Sequence, residues 1–577
     1  MLLGVGAVAT KTYVDDVFNT YLYKGTDGAM TANTGLDMSG EGGMIWLKSR
    51  SNANEHILFD TERGVNKSLN SNSSAAEATP TFAGGYNQTF TSTGFTQNNY
   101  YYDTNESSRT YSSFNFRKAP GFFTTKEYSG SNSAQTLSHD LGCVPGLILV
   151  KCTNSSENWC VYHRGIGAEK FLRLNSNMAN VDNVNRWNDT EPTSTHFSVG
   201  TNNEVNGNGN TYICYLFAGG EEQGNASVDI DGQNGNYLEV AASSDFVFDG
   251  QFCIEYWVYM DDNSSEEQIL SWGTGAYRAL FWTGSTWKIE WPTGNSNFDL
   301  GGSAPTGAWK HHVLTRDGSN VVRFFIDGVM QSNQSTSDDI GENAKFVMGI
   351  KYNYPGGGLQ GGLSNVRLTK GSIPTTYQTS STTNTASIFT SPTSPLTTTS
   401  QGATATDVKL LCCNDIGASG FTKSPSPIIL KGSPQGNKTS SPFAASTSTD
   451  ASAIFGESES ESVIKCGSYE GNGSSTGPEI NLGFEPQWVL IKNTEESEGW
   501  LIFDSMRGIV SGGNDLFMYA DATTVDQSMD MLDLTPTGFK IKSDHALINT
   551  NNKTYIFTCI RRSDGYVGKP PELGTDV

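Results

Sequence analysis

The chain has 577 residues, enough for about four domains. Lys and Arg number 37 against 60 Asp and Glu, a net charge of −23 at a sequence pI near 4.7, which leaves no basic stripe to displace counterions from a phosphate backbone and excludes nucleic-acid binding. No run approaches the roughly 18 apolar residues of a membrane-spanning helix, and 63 glycines beside 11% aromatics point to short strands and many turns, not to membrane insertion or wholesale disorder.

In chain order, residues 1–20 open with the apolar run Met1 to Thr10. It is short and no Lys or Arg precedes it, unlike a secretory signal, so it is read as an attachment segment that packs against a partner. Beyond it the chain repeats itself, and repeats decide the architecture before any single motif does. A first unit, residues 21–120, carries Trp46-Leu47-Lys48, then Phe59-Asp60-Thr61-Glu62-Arg63-Gly64, Thr93-Gly94-Phe95 and Tyr111-Ser112-Ser113-Phe114. A second, residues 121–223, carries Ile148-Leu149-Val150-Lys151, Tyr162-His163-Arg164-Gly165, Thr195-His196-Phe197 and Tyr212-Ile213-Cys214-Tyr215. A third, residues 466–577, carries Trp488-Val489-Leu490-Ile491-Lys492, Phe503-Asp504-Ser505-Met506-Arg507-Gly508, Thr537-Gly538-Phe539 and Tyr555-Ile556-Phe557.

The spacings agree: 15, 13 and 15 residues from lysine to arginine, 32, 33 and 32 from arginine to phenylalanine, and 16, 15 and 16 from phenylalanine to tyrosine. Runs such as Ile148 to Val150 and Val489 to Ile491 read as short strands. The recurring Arg-Gly reads as a left-handed turn glycine with an arginine that pairs locally or with backbone carbonyls. Asp60 and Asp504 precede their arginines by three residues, but Val161 stands at that spacing in the second copy, so an Asp–Arg pair is not general to the repeat.

Residues 224–443 interrupt the series, and 444–465 form a Ser/Thr-rich linker. In the insertion, Val313 to Arg316 and Val321 to Ile326 flank the turn Asp317-Gly318-Ser319-Asn320, a hairpin signal. Phe252, Ile254, Tyr256 and Val258 alternate with Cys253, Glu255 and Trp257, as in a strand with one face buried. The Thr/Ser/Pro stretch from Thr379 to Thr406 reads as low complexity, with Ile388-Phe389 and Leu396 as points that dock it on a core.

The nine cysteines form no CxxC pair and read as small buried hydrophobes of a chain made in a reducing compartment. Gly473-Ser474-Ser475-Thr476-Gly477 spells G-x-S-x-G in a polar loop, not at a strand-to-helix elbow. His311 and His312 are adjacent on a strand, face opposite ways, and do not share a metal.

Tyr237-Leu238-Glu239-Val240, the Phe252 to Val258 strand, Trp309-Lys310-His311-His312-Val313, Phe325-Ile326-Asp327-Gly328 and Gly361-Gly362-Leu363-Ser364-Asn365-Val366-Arg367-Leu368 together resemble a laminin-G-like (concanavalin A-like lectin) domain. The flanking strings Tyr21-Leu22-Tyr23-Lys24-Gly25, Trp46-Leu47-Lys48 and Phe59 to Gly64 resemble a module common in virion proteins of marine bacteriophages. The fold expected is therefore all-β: three related small β modules plus an inserted antiparallel jelly-roll sandwich.

The function the resemblance implies is that of a virion structural protein, a tail or surface fibre made in the host cytoplasm. It would adhere to host envelope glycans without catalysis, beside other virion proteins and as a homotrimer. Head decoration, tail assembly and a polysaccharide depolymerase are the rivals. Sugar rings stack on aromatic faces, which singles out Trp282, Trp287 and Trp291 and the loop Tyr352-Asn353-Tyr354; the alternative is that the tryptophans fill the sandwich core or line a subunit contact. No cofactor is required, but relatives of the sandwich family often hold calcium at the rim, for which Asp338-Asp339 or Asp261-Asp262 are the candidates.

Overall fold

The computed structural model describes residues 14–79, 88–98, 103–220, 226–232, 235–272, 279–290, 297–336, 343–351, 357–414, 421–436, 441–443 and 463–563. The chain is all-β, and almost every strand pairing is antiparallel. The three repeat units share one strand order. In the first, Phe18–Lys24 pairs with Thr110–Arg117, which pairs with Gly43–Ser49, which pairs with Ile57–Asp60. The second uses Phe123–Ser129, Thr211–Ala218, Pro145–Cys152 and Cys160–His163 in the same order. The third uses Ile464–Glu470, Thr554–Arg561, Pro486–Asn493 and Leu501–Asp504. Phe18 thus opens a strand within the segment expected to be an attachment arm, and Ile464 and Lys465 open one within the expected linker; residues 1–13 and 444–462 lie outside the described residues.

The lysine-bearing strands are buried on both faces. In the first and third units, one face packs under a small sheet of the same unit: Ile45 and Leu47 meet Ala32, Phe90 and Phe95, while Val489 and Ile491 meet Ile480, Leu532 and Phe539. The other face turns to a core common to all three units. Met44 and Trp46, Leu147 and Leu149, and Trp488 and Leu490 point into it. The period of two assigns these pairs, which stand four and two residues before the lysine in every copy.

Three sets of contacts join the units in cyclic order. In the first set, the residue eight after the lysine donates a ring N–H to a carbonyl of the preceding unit. Trp159 Nε1 reaches the Asn70 carbonyl at 2.8 Å and Trp500 Nε1 the Arg173 carbonyl at 2.9 Å. His56 closes the circle with Nε2 2.9 Å from the Tyr519 carbonyl. Strand register makes Asn70, Arg173 and Tyr519 equivalent positions. In the second set, the carbonyl two after the lysine accepts a backbone N–H: Glu77 to Thr153 at 2.8 Å, Asn180 to Thr494 at 2.7 Å and Asp526 to Arg50 at 3.1 Å.

The third set starts from the last residue of the strand after the lysine strand. Asp60 accepts from Tyr215 Oη at 2.6 Å, His163 Nε2 lies 3.3 Å from Thr558 Oγ1, and Arg507, paired with Asp504, stands over the Phe114 ring at 5.8 Å. His163, not Val161, occupies the place of Asp60 and Asp504, because the turn before the arginine is two residues shorter in the second unit. The repeats therefore form a closed, pseudo-threefold ring within one chain.

The arginines behave as expected of local pairing. Arg63 and Arg507 bind the aspartates three residues before them, and Gly64 and Gly508 sit at φ +98° and +119°. Arg164 donates to the Gly219 carbonyl and lies 4.8 Å over the Phe421 ring of the insertion. The lysines are stranger. Lys48, Lys151 and Lys492 are fully buried, and each donates Nζ to the carbonyl of the next residue. Burial lowers all three to about 8.

The insertion is a two-sheet sandwich. One sheet runs Val329–Ser335, Val321–Ile326, Trp309–Arg316, Phe252–Met260, Gln360–Lys370, Val228–Asp231. The other runs Asn297–Gly301, Trp287–Glu290, Ala279–Trp282, Glu267–Trp272, Ala344–Met348, Tyr237–Ser243, Ile428–Lys431. That second sheet continues into the third unit, where Leu430 bridges Tyr469 in parallel and Lys431 pairs with Glu470. All nine cysteines are free, and eight of them are buried.

Two measurements test the ring. Trp500→Ala should cost about 3–5 kcal/mol in denaturant unfolding, as a large buried side chain does, and the loss should propagate to the second unit, read by hydrogen exchange at Arg173. Each buried lysine deprotonates near 8 when folded but not until its ordinary range when unfolded, so the unfolded chain binds more protons in between and the group's contribution rises with pH. The parent should gain stability relative to Lys492→Met as pH climbs from 8 to 10; a pH-independent difference refutes the assignment.

Candidate functional site

The strand Phe252–Met260 is buried on both faces, not one. Ile254, Tyr256 and Val258 enter the core between the sheets, while Cys253, Glu255 and Trp257 face outward beneath chain 371–407. The Thr/Ser/Pro stretch is thus a strap over the outer face. Ile373, Tyr377 and Phe389 pack on Cys253, Val313 and Phe325, and Leu396 packs on Trp257. Sparse apolar residues fix it at a few points, and the residues between them satisfy one another through short turns.

Beneath the strap lies a buried charge cluster. Glu255 accepts from Arg367 Nε at 2.6 Å and from Tyr377 Oη at 2.5 Å, and His311 Nε2 lies 3.5 Å away. Burial alone would raise the Glu255 carboxyl, but Arg367 and these partners outweigh it and hold it low. Burial, with the Glu255 charge, raises the Tyr377 phenol. Arg367 Nη1 donates to the Thr397 and Ser400 carbonyls, which ties the strap down. His311 stacks on Trp257 at 4.1 Å, while His312, on the opposite face, lies 3.0 Å from Tyr256 Oη.

Where the strap meets the hairpin Trp309–Arg316 and Val321–Ile326, a cleft of about 430 Å³ opens. Gln251, Asp317, Arg323, Gln378 and Thr379 line it, with Tyr377 as its aromatic wall. Arg323 Nη1 binds Asp317 Oδ2 at 2.6 Å, and Asp317 Oδ1 accepts the N–H groups of Ser319 and Val321. Burial works against the Asp317 charge, but Arg323 and the backbone donors win and keep its pKa low. The cleft therefore presents a fixed ion pair, amides and a hydroxyl: groups that bind sugar hydroxyls or other polar ligands but do not move protons near neutrality.

The aromatic residues expected to stack on sugar divide into two groups. Trp287 is completely buried, edge-on to His312 at 4.6 Å, and donates Nε1 to the Ser303 carbonyl. Trp282 is 5% exposed and donates Nε1 to the Asn263 carbonyl. This corrects the expectation for both. They alternate inward from paired strands and fill the sandwich core, so neither has an open face. Trp291, Tyr352, Asn353 and Tyr354 lie outside the described residues, as do Asp338 and Asp339.

At the other calcium candidate, Asp262 caps its own loop by accepting from the Ser264 N–H and hydroxyl. Among the described residues no three His, Cys, Asp or Glu side chains come together as a cation site. Sequence reasoning took Asp317 only as a turn residue and Arg323 only as a strand residue. No pattern in the sequence links them to Gln378 of the strap.

One acid stands apart. Glu267, fully buried at the start of its strand, accepts the Gln360 N–H at 2.7 Å, and burial raises it to about 7.

The family model described as "Domain of unknown function (DUF7483)" matches residues 14–237 and 434–563. That of the concanavalin A-like lectin/glucanases superfamily matches residues 231–374, the sandwich. No curated protein matches the chain. Among solved structures, a putative carbohydrate binding protein from Bacteroides ovatus is 12% identical over 56% of this chain and 95% of that one, at a TM-score of 0.25. A heptameric SAP-like pentraxin from Limulus polyphemus is 13% identical over 26% and 77%, at 0.22.

The raised Glu267 gives a test by pH. Its folded form keeps a proton that the unfolded chain loses near 4.5, so the stability it confers is complete below that pH and is lost as pH rises through about 7. Glu267→Gln should therefore gain on the parent by about 1–3 kcal/mol between pH 4.5 and 8 in thermal unfolding. An unchanged difference across that range contradicts the assignment.

Proposed function

The chain belongs to the DUF7483 family, and we propose that it is a virion adhesin, a tail-fibre or surface-fibre protein whose lectin-like sandwich holds host envelope glycans. The observation that carries this reading is the cleft between Asp317–Arg323 and the strap, where polar groups stand beside Tyr377 and Ile373, set in a concanavalin A-like sandwich. Amide, hydroxyl and ion-pair groups held rigidly at the mouth of a sandwich suit the many hydroxyls of a saccharide. The continuous sheet through Leu430 and Tyr469 supports it too, because it fixes the sandwich to the ring and spares the entropy of a flexible joint on binding. Weak single contacts then gain strength from several copies per particle.

Binding without turnover is the reading for the chemistry. Among the described residues Asp317 is the one carboxylate lining the cleft, and it is neutralised by Arg323. A depolymerase needs two carboxyl groups roughly 5 to 10 Å apart, one of them with a raised pKa. The specific observation that favours a purely structural role, in head decoration or tail assembly, is the strap, which closes the outer sheet face to any ligand.

A glycan array separates the two. Parent protein should bind a defined subset of envelope glycans, and Arg323→Ala and Gln378→Ala, each as a folded protein, should weaken that binding by roughly tenfold. No bound glycan, or full binding by both folded variants, removes the adhesin reading in favour of the structural one.

A further inference from the structure

The second repeat unit also departs from its siblings in a set of charged residues. The position of Arg173 is Asn70 in the first unit and Tyr519 in the third. The position of Glu204, eight residues before the repeated tyrosine, is Asp103 in the first and Leu547 in the third. Among the described residues, only the second unit has a helix such as Val184–Trp187 ahead of its small-sheet strand, and this helix delivers Arg186. The shared scaffold therefore folds without this charge set.

The two arginines converge on one acid. Arg173 Nη2 donates to Glu204 Oε1 at 2.5 Å, Arg186 Nη2 lies 3.0 Å from Oε2, and Asn158 donates to Oε1 at 2.9 Å. Arg186 is 4% exposed and lies over the Phe171 ring at 4.3 Å. Its Nε and Nη1, and Nε of Arg173, have no hydrogen-bond acceptor, apart from the weakly accepting thiol of Cys160 beside the Arg186 guanidinium. Buried donors left unused destabilise a fold, a cost that is recovered where a ligand supplies the missing acceptor.

These groups wall a second cleft of about 430 Å³, within the range of small-ligand sites, with Glu157, Asn185 and Asn203 among its other residues. We propose that this cleft binds the carboxylate of an acidic sugar, a hexuronate, in the repeat ring and independently of the sandwich. The planar forks of Arg173 and Arg186 match a carboxylate, and the amides of Asn185 and Asn203 match ring hydroxyls. The lining is almost wholly polar, which disfavours an apolar ligand. Glu157 and Glu204 balance the two guanidiniums, so a doubly charged phosphate gains little where a singly charged carboxylate fits.

The test uses the full chain and three probes, methyl glucuronide, methyl glucoside and inorganic phosphate, titrated by ligand-observed NMR. Glucuronide alone should bind, and Arg173→Ala and Asn203→Ala should each weaken it by roughly tenfold. Arg323→Ala, in the sandwich cleft, should leave it unchanged, which keeps failure here distinct from failure of the adhesin reading. Arg186→Lys, which keeps the charge but loses the fork, should also weaken binding; if it unfolds the chain, the Arg173 and Asn203 variants decide. Equal binding of glucoside or phosphate, no glucuronide binding, or full binding by folded Arg173→Ala overturns the proposal.

Discussion

A strand that is apolar on both faces must be covered twice, and everything else in this molecule follows from how that is done. The lysine-bearing strand of each repeat turns one face outward to its own unit and the other to a core it cannot complete alone. Three copies around a common centre complete it, and each supplies the same cover to the next. Trp159, Trp500 and His56 then latch the joints at equivalent positions. The circle is closed by a histidine where the other joints use tryptophan. Burial keeps that histidine neutral, and its other nitrogen accepts from Trp46, which leaves Nε2 as the donor to the Tyr519 carbonyl.

Each unit also satisfies internally a polar residue that a core of this kind would otherwise reject. Asn105, Asn206 and Asn549, each fully buried and six residues before the repeated tyrosine, accept and donate across the turn after the first strand of their units. Asn105 receives the Thr26 N–H and gives to the Gly28 carbonyl; Asn206 and Asn549 do the same at Ser131 and Ser133, and at Asn472 and Ser474. A buried amide is tolerable only when such groups are satisfied. The threefold contacts are made between parts of one chain, so the symmetry is written into a single sequence that is free to vary by unit. Arg173 and Glu204 are such a variation.

The sandwich enters this ring at a junction that is short between the first two units, where Arg117 and Phe123 end and begin adjacent strands. Between the second and third it is replaced by a whole domain, which is held by a shared sheet and by Arg164 on Phe421 as well as by its two chain connections. The strap fills the outer face of the sheet, and the cleft lies at its edge, where Asp317 and Arg323 meet Gln378.

The sequence by itself determined the strands, the repeat and the lectin-like insertion, because period-two alternation, fixed spacings and turn glycines are local properties written residue by residue. The asparagine six before each tyrosine was equally legible as a spacing, though a polar residue in a polar-rich chain carries little contrast. Tertiary structure alone decided which face met what. Trp282 and Trp287 look the same in sequence whether they stack on sugar or fill a core, since burial depends on strands far away. Cys253, Glu255 and Trp257 look solvent-facing until a Thr/Ser/Pro stretch more than a hundred residues later covers them. The ring was decided in the same way: closure is a relation among three distant segments, and no local pattern encodes the order in which they touch.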